Sequence, residues 1–261
     1  MSNQISEIKS ENKKQFKKFA IILSICAIIG GITGFATSMF GDIIKGLPEY
    51  LNSGLVYIIP YSICVAGLIS FMLSFMLYKK SRKLYEKYDG ENEELINQVE
   101  NKIGYSMIIN NINLILTFFF FGVGVILDDY AFDLDRNLYK FAIFFLSYIL
   151  NIVVIIKIQQ KIIDFEKIMN PEKKGSVYDF KFAEKWEESC DEAERLMIYK
   201  SSYKSFRATN MACIVIWLIL IIVNTIWNTG VMPIAVVTII WTVLICSYSI
   251  ESVRLQKTGG K

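Results

Sequence analysis

The amino-acid sequence predicts an all-α, polytopic membrane protein with six transmembrane helices and both termini in the cytoplasm. Three observations predict it. Hydrophobic residues make up 53% of the 261 residues and fall in long blocks, not at the spacing of a half-buried helix or strand; a helix facing lipid has no need of a polar face. Six of those blocks contain no Asp, Glu, Lys or Arg. Lysine and arginine then alternate sharply between the connections, as expected when basic residues are retained on the cytoplasmic side.

The blocks cover about 19–41, 55–78, 105–127, 141–156, 209–228 and 230–250. A span needs about 20 apolar residues, and five blocks meet that length. The fourth carries Asn151 at its centre and reaches spanning length only over 138–158, by recruiting Leu138, Tyr139 and Ile158. Charge supports it. The N-terminal segment, the loops 79–104 and 157–208 and the tail hold 25 basic residues, against 3 in the alternate connections. Removing the fourth span would put basic loops on both sides. The first block follows a basic stretch but lacks a small-residue cleavage site, so it is expected to be retained as a helix. The whole chain, 1–261, is expected to form a single membrane domain with two cytoplasmic loops, 79–104 and 159–208.

The connections carry local signals. Asn228-Thr229-Gly230 is short enough only for an antiparallel hairpin between the last two spans, with Pro233 in the first turn of the final helix, where a missing N–H costs little. Both long loops return on helices that start acidic (Glu91, Glu93, Glu94; Asp191, Glu192, Glu194) and turn basic near the membrane, which suits the helix dipole. Ser189-Cys190-Asp191-Glu192 fits a capping box. Leu196, Tyr199, Tyr203 and Phe206 form one apolar stripe, and Ile158, Ile162, Phe165 and Met169 another. The ordinary fate of two such stripes is to pack on each other as a cytoplasmic hairpin. The alternative is partner docking through Phe182, Trp186, Leu196, Tyr199 and Tyr203.

Several chemistries lose their residues. Histidine is absent, which removes His-dependent metalloproteases, Ser–His proteases and His-ligated haem. The spans hold no Asp or Glu for intramembrane catalysis or proton coupling, and no Gly-Lys-Ser/Thr phosphate loop occurs. Cys26, Cys64, Cys190, Cys213 and Cys246 show neither disulfide nor zinc spacing and read as free thiols. A net charge of +3 without a clustered basic face gives no expectation of direct nucleic-acid binding. No enzyme, cofactor or metal is expected. Abundant isoleucine (42) and lysine (23 against 5 arginines) suit an A/T-rich bacterial genome.

Three features remain for function. Gly30 and Gly34 are spaced for close helix packing. Asn110, Asn111, Asn113, Asn151 and Asn224 are expected to hydrogen-bond between helices. The external loop carries Asp128, Asp129, Asp133 and Asp135 beside Tyr130 and Phe132, a candidate contact for a cation or a cationic peptide.

Asn170-Pro171-Glu172-Lys173-Lys174-Gly175, then Trp186 and Asp191-Glu192-Ala193-Glu194 through Tyr203, together with Lys17-Lys18-Phe19 and Gly30-Gly31-Ile32-Thr33-Gly34, resemble an uncharacterised family of bacterial, mainly Gram-positive, membrane proteins, domain of unknown function three-one-six-nine. The resemblance implies a small multi-pass protein of the bacterial cell membrane, encoded beside a small helix-turn-helix regulator, and transfers no catalytic residues. The expected role is non-enzymatic, exercised through a cytoplasmic partner, either a DNA-binding regulator or an ATPase (transporter) subunit. The alternatives are the permease subunit of an ATP-driven exporter and an immunity or stress protein that binds cationic peptides through the acidic loop.

Overall fold

The structure, a computed structural model, describes residues 2–38, 49–127, 134–227 and 229–257. Among them the regular elements are all helices: α1 (Ser2–Ser38), α2 (Glu49–Tyr85), α3 (Glu93–Ile126), α4 (Leu134–Met169), α5 (Phe182–Glu188), α6 (Glu192–Trp227) and α7 (Met232–Lys257). Five are long and apolar enough to cross a membrane, over Tyr57–Tyr85, Glu93–Ile126, Leu138–Met169, Glu192–Ile221 and Met232–Lys257. They coincide with the second to sixth expected spans. The fourth, short as an uncharged run, lies within a 36-residue helix. α1 is one continuous helix that covers most of the first block. The surroundings of Gly30 and Gly34 within it lie outside the described residues.

The helices outrun the bilayer. At 1.5 Å per residue, 34 to 37 residues make rods of about 50–55 Å, against about 30 Å of hydrocarbon. The surplus turns carry the charged residues, so each rod has an apolar length and a charged extension. Ile69, Met72, Ile115, Leu146 and Ile239 are each more than half exposed along the apolar lengths. In water such surfaces would aggregate; in lipid they are the solvent contact.

The chain divides into two compact units, one built from α1 to α5 and the other from α6 and α7. In the first, α2, α3 and α4 pack together in three layers. Away from the charged extensions, Ile59, Ile63, Leu127 and Phe144 are buried, with Phe121 stacked between Phe144 (5.8 Å) and Tyr148 (4.0 Å). At the charged end Val99, Ile103, Ile158, Ile162 and Phe165 form a second core. Between them lies a polar layer. Ser74 and Ser106 share a 2.7 Å hydrogen bond, and Asn110 Nδ2 donates to the Ile155 carbonyl at 3.0 Å. Asn113 Nδ2 donates to Asn151 Oδ1 at 3.1 Å, and Asn151 Nδ2 donates to Thr117 Oγ1 at 2.8 Å. Gly67 lets α4 come close: a Cβ there would stand 2.7 Å from Asn151 Oδ1.

This packing corrects the expected pairing of stripes. Ile158, Ile162, Phe165 and Met169 pack on the extensions of α2 and α3, with Phe165 edge-on to Tyr78 and Tyr85. Leu196, Tyr199 and Tyr203 stay exposed on α6. The cause is helix length. α2 and α3 project with α4 and offer it apolar partners along its whole extension, which pattern within one loop does not reveal.

The connections follow their sequence signals, with one shift. Asp89 Oδ1 accepts from the amides of Glu91 and Asn92, and those bonds hold its carboxyl below the usual range. Gly90 turns the chain with φ +97°. Asn92 then caps α3 by accepting from the Leu95 amide at 3.0 Å. α6 begins on a reciprocal capping box, but two residues beyond the expected one: Asp191 Oδ1 accepts from the Glu194 amide (2.7 Å) and Glu194 Oε2 from the Asp191 amide (3.0 Å). Ser189 is engaged elsewhere, donating to the Trp186 carbonyl and accepting from the Lys174 amide, so it closes α5 instead.

In the second unit α6 and α7 form the expected hairpin. Asn224 does not bridge helices; its Oδ1 accepts from Thr229 and from the Gly230 amide, at a glycine with φ +74°. Trp241 Nε1 donates to Asn210 Oδ1 at 2.7 Å, and Phe206 stacks on Tyr248 at 4.5 Å.

Candidate functional site

The most elaborately built polar structure is a head on the first unit, where α4 ends and α1 returns to meet it. α4 stops at Met169 because Asn170 precedes Pro171, a context that disfavours helix and is followed by a residue without an amide donor. The segment 170–181 folds back in tight turns. Gly175 adopts φ +112° with the Phe182 ring 3.0 Å from where a Cβ would be, so a side chain there is strained by the backbone and crowded by the ring. Asp179 receives the Lys181 amide on its carboxylate just before α5. On α5, Phe182 and Trp186 are one turn apart with ring centroids at 5.4 Å, and the Lys173 ammonium lies 5.6 Å from the Trp186 ring.

α1 clamps this segment to α4. Asn12, buried, donates through Nδ2 to Asp164 (2.8 Å) and accepts from Ser176 Oγ (2.5 Å). Glu11 pairs with Lys167 at 3.1 Å, although Lys167 is only 3% exposed. Gln15 Nε2 donates to Asp179 Oδ2, while Phe16 and Phe19 lie on the Tyr178 ring at 5.0 and 5.7 Å. Burial, and then the Asp164 carboxylate, push the Tyr178 phenol above its ordinary range, and its hydroxyl donates to Gln160 Oε1 at 2.6 Å. A cleft of about 560 Å³ opens beside the clamp, with Lys167, Lys173, Lys174 and Lys185 facing Glu11 and Glu188. Among the described residues no group of three His, Cys, Asp or Glu side chains is placed to hold a metal ion.

Asp179 and Lys185 close the segment with a 2.5 Å ion pair. Burial raises the Asp179 carboxyl, but the hydrogen bonds from Lys185 and the Lys181 amide and the charges of Lys185 and Lys18 outweigh it, and the net effect is downward. A carboxylate with a lowered folded pKa stabilises the fold above its unfolded pKa and loses that contribution as pH falls through the folded one. The Asp179 contribution is therefore expected to be complete at neutrality and to be lost as pH falls from the ordinary carboxylate range to below it. Burial raises the Asp164 carboxyl and acts in the opposite sense. In Lys185→Gln the acid transition of the head should move to higher pH, followed by Trp186 fluorescence in a chain whose other tryptophans are phenylalanine. An unmoved transition would show that the pair does not matter.

A family model described as a protein of unknown function, DUF3169, matches residues 13–250. The chain belongs to the DUF3169 family. No curated protein and no solved structure matches it. The DUF3169 region takes in all of α2 to α6, most of α1 and α7, and every site residue expected from the sequence. Of these, Phe182 and Trp186 are brought together in the head. Leu196, Tyr199 and Tyr203 share one face of α6 in the second unit, 51%, 54% and 53% exposed. Asp128, Asp129 and Asp133 lie outside the described residues, as does the side chain of Asp135 in the first turn of α4. Sequence reasoning missed Glu11, Asn12, Gln15, Asp164, Lys167 and Ser176. The one local signal is two uncharged amides, Asn12 and Gln15, three residues apart among lysines; their partners are about 150 residues away in the DUF3169 chain.

Proposed function

We propose that this chain is a non-enzymatic, six-span protein of the bacterial cytoplasmic membrane, with both termini inside, that acts through a cytoplasmic partner protein: a regulator or a transporter subunit. The first crossing rests on α1 being helical through 19–38 and on the 25-to-3 distribution of basic residues. The observation that carries the docking role is the exposed stripe Leu196, Tyr199 and Tyr203. It runs beside Lys200, Lys204 and Arg207, a level of α6 that does not sit in hydrocarbon. Large apolar groups exposed at a charged level are the ordinary mark of a protein contact. A permease is less well supported, because the polar groups of the α2–α4 interior are bonded to one another and not left to line a path.

The test is purification from the native host in mild detergent, with mass spectrometry of whatever accompanies the chain in near-stoichiometric amount. A DNA-binding protein is expected under the regulator form and a nucleotide-binding subunit under the transporter form. Leu196→Ala, Tyr199→Ala and Tyr203→Ala together should release that protein while leaving the melting temperature within a few degrees, since exposed substitutions cost little. If the chain comes alone, or the triple variant retains every association, the docking reading fails.

A further inference from the structure

A second cleft, of about 440 Å³, lies between α2 and α4 at the border of apolar length and charged extension. On its α2 wall Phe75, Lys79, Arg82 and Glu86 follow one another at three- and four-residue steps, with Lys83 next to Arg82, and Lys161 lines the cleft from α4. The last uncharged turn of the second span ends at Tyr78, so the cleft sits at headgroup height. Two ammonium groups converge on one ring. Lys79 Nζ is 4.7 Å and Lys161 Nζ 5.4 Å from the Phe75 centroid, an arrangement held by attraction to the ring face. Phe75 is itself backed by Phe71 at 5.5 Å.

Four cations and one carboxylate, Glu86, thus line the cleft, and among the described residues none of the four makes an ion pair within 4.0 Å. The head solves its charge differently: there Lys167 and Lys185 each have a carboxylate at hand. A cationic groove with an aromatic floor, open at the membrane border, matches a phosphate attached to acyl chains. The phosphate meets Arg and Lys, and the chains lie along the exposed apolar face of α2, where Leu68 and Met72 are more than half exposed.

We infer that this groove binds the headgroup of an anionic phospholipid. The inference rests on the membrane reading, and in the orientation proposed above the lipid belongs to the cytoplasmic leaflet. It needs no partner protein, so it is tested on the purified full chain in nanodiscs of phosphatidylcholine doped with phosphatidylglycerol, with retained lipid read by native mass spectrometry. The wild-type chain is expected to retain phosphatidylglycerol over phosphatidylcholine. Near an anionic surface each basic residue contributes about a fivefold factor, so Lys79→Gln, Arg82→Gln and Lys83→Gln together should weaken retention about a hundredfold. Lys161→Gln, from the opposite helix, should weaken it about fivefold. Removing the same number of charges at Lys13, Lys14 and Lys17 should leave it unchanged. Equal retention of the two lipids, or an unaltered triple variant, overturns the site while leaving the docking role standing. Displacement of the lipid by an equal concentration of inorganic phosphate overturns the lipid and makes the groove a site for free anions.

Discussion

Asn151→Leu is expected to destabilise the α2–α4 bundle by about 3 kcal/mol, because it strands two buried polar groups at about 1–3 kcal/mol each. Asn113 would lose the acceptor for its Nδ2 and a longer donor to its Oδ1, and Thr117 Oγ1 would lose the amide it accepts. Asn113 and Thr117 are 2% and 1% exposed, so neither water nor lipid headgroups replace the missing partner. The hydrogen bonds themselves are modest, since interhelical pairs in membranes average about 0.6 kcal/mol. The cost lies in what is left behind. It follows that Asn113→Leu combined with Asn151→Leu should cost clearly less than the two singles added, since replacing both partners by apolar groups removes the stranded amide. Reversible unfolding in mixed micelles measures all three variants, and strict additivity would show that the layer does not act as a network.

The second large effect concerns the clamp. Asn12→Leu should free the start of α1 from the head, because one side chain serves both Asp164 and Ser176. Two polar groups then face leucine across a buried seam, a loss of about 3 kcal/mol. Local opening governs proteolysis when reclosure is fast, so trypsin cleavage after Lys13 and Lys14 should accelerate by about a hundredfold. Glu11→Gln should act in the same direction, since it leaves Lys167 buried beside an uncharged amide. If cleavage is unchanged in both, α1 is not held by this seam.

The membrane helices were legible because lipid imposes a simple rule: every position at depth must be apolar or bonded internally. That rule makes a run of uncharged residues visible without any partner, and it also marked Asn110, Asn113 and Asn151 as interior. The head obeys no such rule. Glu11, Asn12 and Gln15 look like any solvated helix face, and their meaning depends on Asp164, Ser176 and Asp179, which only the folded chain brings to them. Ser189 shows the same limit at short range. Its sequence context fits a cap for α6, yet the Lys174 amide across the turn claims its hydroxyl. The stripe on α4 is apolar and buried as its spacing predicts, but against α2 and α3, since pattern records that a face is buried but not by what.

α4 passes from Asn151 in the polar layer to Lys167 in the head as one helix without proline or glycine, a distance of about 24 Å. Such a rod has no joint at which motion is absorbed. A rearrangement at Asn151 is carried along that unbroken helix toward the Glu11–Lys167 and Asn12–Asp164 contacts. The polar layer and the head are thus two ends of one rigid element.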